Sequence, residues 1–514
     1  MNARIAQAFS LLPDYLAWHV LLSASALVLG VVISLPLAVA ASRSPRLRWP
    51  VLAFAGLIQT IPSLALLALF YPLLLGLSAA SQAVLGKGFS ALGFLPSLLA
   101  LTLYSMLPIL RTATTGILGV DPAVREAADG VGMTPRQRLF QVELPLAMPV
   151  IMAGVRTAAV WTIGAATLST PVGQTSLGNY IFAGLQTENW VFVLFGCAAS
   201  AALAMTVDQL LGLIETGAAR RRRGLVVAGA ALLALGALAA MSPLAAIGKP
   251  ASYVVGAKNF SEQYILAELM AERLEATGAR VSRKEDLGSA VAYRALAAGE
   301  LDVYVDYSGT LWTNVLKRED NPGREAVLAE LTAALKARDG VVVLGSLGFE
   351  NAYAFAMRAD RAKALGIASL ADLARQAPRL TLGSDLEFLS RPEWKAVDAA
   401  YGFRFKTARS FQPTFMYRAL SGGEADVISA FSSDGRIAAD GLVVLSDPKG
   451  ALPPYDAVIL VSPKRAGDER LLSALRPLVG SISVEAMRAA NYSVDRDRGK
   501  LTPAEAARGL EPKR

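Results

Sequence analysis

Charged residues collect in one short stretch of an otherwise apolar N-terminal half. A charge at the centre of a bilayer costs roughly 2.5 to 3.5 kcal/mol on insertion scales, so such side chains must lie in water between two apolar runs. The charged residues of this stretch are Asp121, Arg125, Glu126, Asp129, Arg136, Arg138 and Glu143.

The sequence offers little for metal or nucleophilic chemistry. His19 and Cys197 are the only histidine and cysteine, and each lies within an apolar run. A zinc centre or a histidine-dependent triad is therefore nearly excluded, and both residues are interpreted as packing residues. Asp302 and Asp306 flank Tyr304 with the period of a strand, and we expect them on a solvated strand face rather than as a catalytic pair.

No phosphate-binding loop is found in the sequence. The Gly-Lys pairs at Gly86, Gly248 and Gly499 lack the earlier glycine of the pattern GxxxxGK[ST]. We therefore expect no bound cofactor, and any ATP must be used by a separate subunit. The chain is predicted not to be an enzyme.

The charges are divided unequally along the chain. Residues 1–250 hold 15 basic and 8 acidic side chains, and the remaining residues hold 35 and 34, within a net charge of +8. A basic excess confined to an apolar half is typical of an orientation signal in a membrane protein, and it gives little support to nucleic-acid binding.

Six apolar runs are long enough to cross a bilayer. Arginines follow the first, third and fifth runs, which places these loops in the cytoplasm and the N-terminus outside. The last run follows the basic residues 220–223 and could also be read as a signal peptide, but its internal position favours retention. We expect a multi-pass protein of the cell (inner) membrane. The runs are 16–41, 51–77, 94–110, 147–168, 190–214 and 225–247.

The C-terminal half, residues 252–514, alternates short strands with helices. This pattern predicts an α/β fold of two lobes joined by crossing strands around a hinged cleft, with a second lobe at approximately 350–450. A sixth span places this half on the extracytoplasmic side. A helix is predicted at 262–277, and the predicted strands are 253–256, 280–282, 341–344, 379–383, 426–430 and 442–445.

Residues 121–145 resemble the coupling loop of importer-type ABC permeases. The resemblance rests on Glu126-Ala-Ala, then Gly132, then Leu144-Pro145 before the next apolar run. It implies an all-α permease domain of type I over 1–247, a cytoplasmic ABC ATPase as partner, and a permease homodimer. The implied ATPase-coupling residues are Glu126, Ala127, Ala128, Gly132, Leu144 and Pro145.

The C-terminal half is similar to the osmoprotectant-binding proteins of the glycine betaine, choline and carnitine uptake family. With the coupling loop and the glycine-rich segment 173–184, the resemblance covers nearly the whole chain. It implies a type II periplasmic-binding-protein-like domain fused to its own permease. It rests on an ordered series of segments: 256–263 (GAKNFSEQ), 304–310 (YVDYSGT), 351–353 (NAY), 387–391 (EFLSR), 430–436 (AFSSDGR) and 453–455 (PPY).

The same resemblance implies a ligand site. In that family a quaternary ammonium group sits in a cage of aromatic rings, where each cation–π contact contributes roughly 0.5 to 2 kcal/mol. Phe431 replaces a common tyrosine, and Asn351 is neutral where a carboxylate would attract a cation more strongly. The implied cage walls are Tyr307, Tyr353, Phe431 and Tyr455, the polar contacts are Gln263, Thr310 and Asn351, and the carboxylate clamp is Arg391.

The sequence therefore predicts the membrane subunit of an ABC importer for a betaine-like solute. Glycine betaine, proline betaine, carnitine, choline and ergothioneine all stay open, although Arg391 favours a carboxylated zwitterion unless it points to solvent or pairs with Glu387. A solute-sensing membrane receptor without transport and an importer for another small amino-acid-like solute are the alternatives.

Overall fold

A computed structural model of the chain describes residues 3–86, 88–187, 189–245, 252–318, 320–385, 388–411, 413–496 and 499–511. The chain divides into two compact units, which we call the helical unit and the α/β unit. The helical unit comprises residues 1–184 and 190–249, and the α/β unit comprises residues 185–189 and 250–514. Each is described separately.

The helical unit has ten α-helices among its described residues. They are α1 (Ala3–Arg43), α2 (Pro45–Thr60), α3 (Ser63–Leu85), α4 (Phe94–Leu118), α5 (Pro122–Gly130), α6 (Pro135–Arg138), α7 (Leu144–Ala166), α8 (Gly178–Gln186), α9 (Trp190–Ala219) and α10 (Arg223–Ala245). A π-helical turn, Leu139–Glu143, joins α6 to α7, and a 3₁₀ turn, Thr167–Val172, follows α7.

Six of these segments are long and apolar enough to cross a membrane: Ile5–Arg43, Ser63–Leu85, Phe94–Leu118, Pro135–Val172, Trp190–Ala219 and Arg223–Leu244. The number of candidate spans agrees with the prediction. The prediction of one continuous span at 51–77 was wrong. Helix α2 ends at Thr60 and α3 begins at Ser63, with Pro62 between them. Proline lacks an N–H and disfavours a helical conformation in the residue before it, so the helix is interrupted at Pro62.

Helices α4 and α7 pack closely because small residues lie where they meet. A Cβ on Gly154 of α7 would lie 1.8 Å from the Oγ1 of Thr112 and 2.9 Å from the carbonyl oxygen of Pro108, both in α4. Close backbone approach at a glycine is typical of helices packed in membranes.

His19 of α1 is fully buried in the helical unit, as expected of a packing residue. Its Nε2 lies 3.1 Å from the carbonyl oxygen of Ile163, and the Leu177 N–H donates to its Nδ1 at 3.3 Å. Both ring nitrogens therefore have partners in the neutral imidazole.

The α/β unit contains ten strands among its described residues. They are β1 (Tyr253–Lys258), β2 (Val281–Leu287), β3 (Val303–Tyr307), β4 (Val342–Glu350), β5 (Tyr353–Arg358), β6 (Thr381–Asp385), β7 (Thr407–Phe411), β8 (Val427–Phe431), β9 (Leu442–Val444) and β10 (Asp456–Val461).

Its helices cover both sheets. They are α11 (Ser261–Glu275), α12 (Ser289–Ala297), α13 (Ser308–Thr310), α14 (Arg324–Asp339), α15 (Ala359–Leu365), α16 (Leu370–Gln376), α17 (Pro392–Tyr401), α18 (Pro413–Ser421), α19 (Arg436–Ala439), α20 (Glu469–Leu475), α21 (Val484–Asp495) and α22 (Pro503–Arg508). A π-helical turn, Leu311–Val315, follows α13, and four short 3₁₀ turns complete the described segments.

The strands form two five-stranded sheets, in the orders β2-β1-β3-β10-β4 and β7-β6-β8-β5-β9. The chain passes from the first sheet to the second at residues 351–352 and returns at 445–455. The two crossings are joined where the Asn351 N–H donates to the carbonyl oxygen of Tyr455 at 3.0 Å. Two lobes joined by two short crossings are the arrangement of a hinged cleft.

The prediction that Asp302 and Asp306 lie on a solvated strand face was wrong. Asp302 and Asp306 are only 3% and 1% exposed. Asp302 accepts from Arg465 at 2.8 Å, and Asp306 accepts from Lys258 at 2.6 Å and from the Tyr304 hydroxyl at 2.6 Å. Strand β3 lies between β1 and β10, so its side chains are covered on both faces, and buried carboxylates need such partners.

Candidate functional site

The polar loop, residues 121–145, forms α5, α6 and the π turn. The Asp121 side chain caps α5 by accepting from the Ala123 N–H at 2.9 Å. Gly132 lies just after the end of α5 and has a φ of +80°, a left-handed conformation that favours glycine. Of the six predicted coupling residues, Glu126, Ala127, Gly132 and Pro145 are exposed, Leu144 is half-buried and Ala128 is buried.

The exposed surface of the polar loop also includes three apolar side chains. Val124, Val131 and Phe140 are 38%, 75% and 67% exposed. Apolar side chains held in water on a charged loop mark a surface suited to a protein partner. The predicted residues Glu126 and Ala127 lie in the same short segment.

Three of the four predicted cage rings meet where the chain crosses between the sheets. The ring centroid of Tyr353 lies 5.0 Å from that of Phe431 and 6.0 Å from that of Tyr455. Strand pairing explains the first contact, because Tyr353 of β5 lies opposite Phe431 of β8. Gly309 explains the position of Tyr455, since a Cβ there would lie 2.5 Å from the ring. Thr310, the next residue, is buried.

The fourth predicted ring, Tyr307, lies at the end of β3 and is also buried. Its hydroxyl receives a hydrogen bond from the Gln263 Nε2 at 2.9 Å. The ammonium of Lys258 lies 4.6 Å from its ring centroid, and the ring of Phe260 stacks beside it at 6.1 Å. Gln263 and Tyr307, both predicted site residues, are therefore brought together.

Glu262 of α11 connects these residues and was not among the predicted ones. Its carboxylate is 3% exposed and accepts hydrogen bonds from both lobes. The donors are the Tyr307 hydroxyl at 2.6 Å, the Asn351 Nδ2 at 3.1 Å, the Ser433 Oγ at 2.6 Å and the Asn491 Nδ2 at 2.9 Å. Burial raises the pKa of Glu262, and the four hydrogen bonds oppose that shift.

All four donors to Glu262 are neutral. Among the described residues, no basic side chain forms an ion pair with it. A buried carboxylate without a positive partner is costly, so these four hydrogen bonds must offset the loss of its hydration.

Arg391, the predicted carboxylate clamp, is held by a carboxylate of the protein. Its Nη2 and Nε donate to the two oxygens of Glu393 at 2.9 and 3.0 Å, and its Nη2 contacts the Tyr455 hydroxyl at 3.3 Å. Glu393 is fully buried at its carboxylate and also accepts from the Tyr455 hydroxyl. A ligand carboxylate would have to compete with Glu393, so the predicted role of Arg391 stays a prediction. Glu387 lies outside the described residues.

A cavity of about 170 Å³ lies against Glu262 and two predicted site residues, Asn351 and Phe431. Small-molecule pockets typically measure about 300 to 1,000 Å³, so this cavity is small by comparison. Phe260 and Ser433 also line it, as do the charged residues Asp434, Arg436 and Asp495. Arg436 pairs with Asp434 at 3.0 Å and lies 4.2 Å from the ring of Tyr417.

Sequence reasoning missed Glu262, Ser433 and Asn491 for different reasons. Glu262 and Ser433 lie inside segments that carried the resemblance, 256–263 and 430–436, so their positions were available. Asn491 lies in α21, outside every quoted segment. Its link to Glu262 joins residues 229 positions apart, which only the fold brings together.

Two family models match the chain. Residues 251–509 match the substrate-binding domain of ABC-type glycine betaine transport systems, and residues 30–242 match the inner membrane component of binding-protein-dependent transport systems. The chain belongs to the ABC importer permeases that are fused to an osmoprotectant-type substrate-binding domain. The fold is accordingly an all-α polytopic membrane domain followed by a two-lobed α/β binding domain, as predicted.

Curated relatives share one or both units. The ergothioneine transport permease/ergothioneine binding protein EgtU of Helicobacter pylori is 29% identical over 487 residues, which cover 91% of this chain and 84% of that protein. The choline transport system permease protein OpuBB of Bacillus subtilis is 40% identical over 197 residues, 38% of this chain and 83% of that protein.

Among solved structures, a glycine betaine/carnitine/choline ABC transporter is 29% identical, with a TM-score of 0.45, and covers 50% of this chain and 96% of that chain. The family and the six apolar helices indicate an integral membrane protein of a transport system. Membership of an ABC importer family implies an ATPase partner.

Proposed function

We propose that this chain binds a small quaternary ammonium compound in its α/β unit and passes it through its helical unit, driven by ATP hydrolysis in a separate subunit. The observation that carries this proposal is the buried carboxylate of Glu262, which has four neutral donors and no basic partner among the described residues. A cationic ligand would supply the missing charge.

Charge and shape favour a quaternary ammonium group over other cations. Its methyl groups cannot donate ordinary hydrogen bonds, so aromatic faces can replace water around it. Phe260 and Phe431 line the cavity beside Glu262. A neutral Asn351 was expected to attract a cation only weakly. In the proposed site, Asn351 donates a hydrogen bond to Glu262, and the Glu262 carboxylate attracts the cation.

The ligand's own carboxylate, if it has one, needs a basic partner. Arg391 and Arg436 are the candidates, and each pairs with a protein carboxylate, Glu393 or Asp434. Arg436 lines the cavity beside Glu262, so we propose it as the first contact and Arg391 as the second. Carboxylated zwitterions should then lose affinity on Arg436→Ala more than choline does.

The relatives' names suggest which solutes to test. EgtU, whose fused organisation this chain shares over 91% of its length, is named for ergothioneine, and OpuBB is named for choline. Ergothioneine, choline, glycine betaine, proline betaine and carnitine therefore form the panel. An importer for another amino-acid-like solute is the second candidate.

In the proposed cycle, the two lobes close on the solute and deliver it to a permease homodimer. Two ATPase subunits bind the polar loops, with Val131 and Phe140 as apolar contacts and Glu126 as a charged one. ATP-driven closure of the ATPases then switches access from outside to inside. In this cycle ATP is bound by the ATPase subunits.

The test is calorimetric titration of the panel into the full chain in lipid nanodiscs. Glu262→Gln keeps the size of the side chain and the two hydrogen bonds to one of its oxygens but removes its charge. We expect the affinity for every quaternary ammonium ligand to fall about tenfold to a hundredfold, or ~1.4 to 2.8 kcal/mol. Glu424→Gln, at an exposed position of the same unit, is the matched control and should bind as the wild type does.

Equal affinity in Glu262→Gln and wild type would contradict the cation site. Binding of a neutral amino acid, but of no quaternary ammonium compound, would favour the second candidate. Uptake into proteoliposomes with a co-purified ATPase separates an importer from a solute sensor, since a sensor binds ligand without accumulating it.

A further inference from the structure

Glu143 is buried at the base of the polar loop, and a buried carboxylate is stable only when other groups compensate its charge. Its side chain has no exposed surface. It lies in the π-helical turn Leu139–Glu143, which enters α7. A π turn inside a helical segment often marks a functional site, because the extra residue redirects the side chains around it. Here Glu143 is buried while Phe140 of the same turn is exposed.

Three arginines from three different elements surround this carboxylate. Arg43, the last residue of α1, donates to both oxygens, with Nη1 at 3.1 Å from Oε1. Arg125 of α5 and Arg138 of α6 place their Nε atoms 3.6 and 3.4 Å from the same Oε1. This one side chain therefore contacts α1, α5 and α6 and directly precedes α7.

The arginines also hold other parts of the loop. Arg125 donates to the carbonyl oxygens of Ile117 and Leu118 at the end of α4, the latter at 3.1 Å. Arg138 pairs with Asp129 of α5 at 2.7 Å. The α5–α6 segment is thus tied to α1, α4 and α7 through charged contacts that converge on Glu143.

Two of the three contacts are incomplete in this structure. The Nε atoms of Arg125 and Arg138 are buried and have no hydrogen-bond partner. Distances of 3.4 and 3.6 Å to Glu143 are ion-pair contacts that fall beyond an ordinary N–H···O bond. An inward movement of α5 and α6 by less than about 1 Å would complete both bonds, and buried unpaired donors favour such a movement.

We propose that Glu143 is the positioning residue that transmits movement of the polar loop to α1 and α7, and that its contacts with Arg125 and Arg138 close when the ATPase presses on α5. This inference rests on the proposed function, since it assumes an ATPase bound at the polar loop. Glu126 and Phe140 would contact the partner, and Glu143 would act behind them.

The test uses the full chain with its co-purified ATPase in nanodiscs. Glu143→Gln should reduce ligand-stimulated ATP hydrolysis at least tenfold, while the complex stays associated and ligand affinity and basal hydrolysis stay within twofold of wild type. Arg43→Gln removes the α1 contact at a position that is 38% exposed, and it should reproduce the loss. The double variant should be no worse than either single variant, because both break one connection.

Asp129→Asn is the matched control. It removes one carboxylate of the same loop, 52% exposed, that pairs with Arg138 but does not touch Glu143. It should keep ligand-stimulated hydrolysis within twofold of wild type. Wild-type stimulation in Glu143→Gln, or additive losses in the double variant, would overturn the proposal.

A readout independent of transport separates this inference from the proposed function. Amide hydrogen exchange in residues 122–138 should rise at least tenfold in Glu143→Gln and stay unchanged in Arg136→Gln, at an exposed position of the same loop, with no ligand or ATPase present. If wild-type protein shows no ligand-stimulated hydrolysis, the proposed function fails, whereas unchanged exchange in Glu143→Gln would count against the positioning role alone.

Discussion

Single residues decide the chemistry of the α/β unit, and the sequence predicted them unevenly. The resemblance indicated Tyr353, Phe431 and Tyr455, which the fold brings into contact. It passed over Glu262, although Glu262 precedes the predicted Gln263. Helical periodicity shows that a position faces inward, but it cannot show that a carboxylate there is met by donors from distant segments such as Asn491.

Arg391 shows the same limit in the other direction. An arginine in a ligand-binding motif looks available in the sequence, and Glu393 two residues later gives no sign of pairing with it. The pairing depends on the backbone at the start of α17, where the two side chains point to the same side and meet Tyr455. Side-chain partners of this kind follow from the fold rather than from spacing.

Asp286 of β2 allows a pH prediction at the residue scale. Its carboxyl is 1% exposed, accepts from the Tyr264 hydroxyl and leaves Oδ2 without a hydrogen-bond partner. Burial raises its pKa to about 7. The folded state therefore holds this proton up to a higher pH than the unfolded chain, where aspartate titrates near about 3.9.

Because the pKa of Asp286 is higher in the folded than in the unfolded state, this residue makes stability fall as the pH rises. The stabilisation from protonated Asp286 is complete below about pH 4 and is lost as the pH rises towards 7, at up to ~1.4 kcal/mol per pH unit. Asp286→Asn should remove this part of the slope, measured by urea unfolding of residues 252–514 across that range. Burial also raises the pKa of Glu285 to about 8, so only the difference between variant and wild type is diagnostic.

Asp360→Asn is the control for Asp286→Asn. Asp360 is 66% exposed, and its hydrogen bonds with Arg358 lower its pKa, so it titrates below the range of interest. Its variant should keep the wild-type slope between about pH 4 and pH 7. The same slope in Asp286→Asn as in wild type would show that Asp286 is ionised when folded.

At the scale of elements, hydrophobic runs predicted where helices exist better than where they break. The run 51–77 contains Pro62 and Pro72, and only the first interrupts the helix. Proline inside a membrane helix is tolerated when neighbouring groups take up the freed carbonyl. The Tyr104 hydroxyl of α4 donates to the carbonyl oxygen of Ile61, so tertiary packing stabilises the break at that point.

Helices α7 and α9 are joined by a charged contact within candidate spans. Arg156 donates to Asp208 at 2.9 and 2.7 Å and to Glu215 at 2.7 Å. Gly212 makes room for the guanidinium, since a Cβ there would lie 3.3 Å from the Arg156 Cζ. Charges in a membrane helix are costly unless paired, so this contact should hold the two helices together.

Arg156→Leu should therefore destabilise the helical unit. We expect a loss of ~2 kcal/mol, less than for a fully buried pair because the side chains are 24–30% exposed. Thermal unfolding in detergent measures it, and Arg136→Leu on the exposed polar loop is the control. Changing Asp208 and Glu215 to leucine as well should restore part of the stability, and no such recovery would mean that packing, not charge, holds these helices.

At the scale of the whole molecule, the two units follow one another in a single chain. Composition separated them at about residue 250, since charge balance and hydropathy both change there. The α/β fold and its two crossings followed from alternating strands and helices, and the candidate site lies at the crossings. The solute could not be predicted, because in the proposed site it depends on groups such as Glu262 and Arg436, which line one cavity only in the folded unit.

Fusion of the two units should change the kinetics of transport. Only residues 246–252 separate α10 from β1. A short tether keeps a binding domain at an effective concentration of the order of millimolar near its permease. We expect cleavage at an engineered protease site in 246–251, followed by washing, to lower uptake into proteoliposomes more than tenfold. Adding back residues 252–514 should restore uptake only at concentrations approaching ~1 mM. A chain that carries the same site but is not treated with protease is the control, and undiminished uptake after cleavage and washing would show that transport does not need the attached unit.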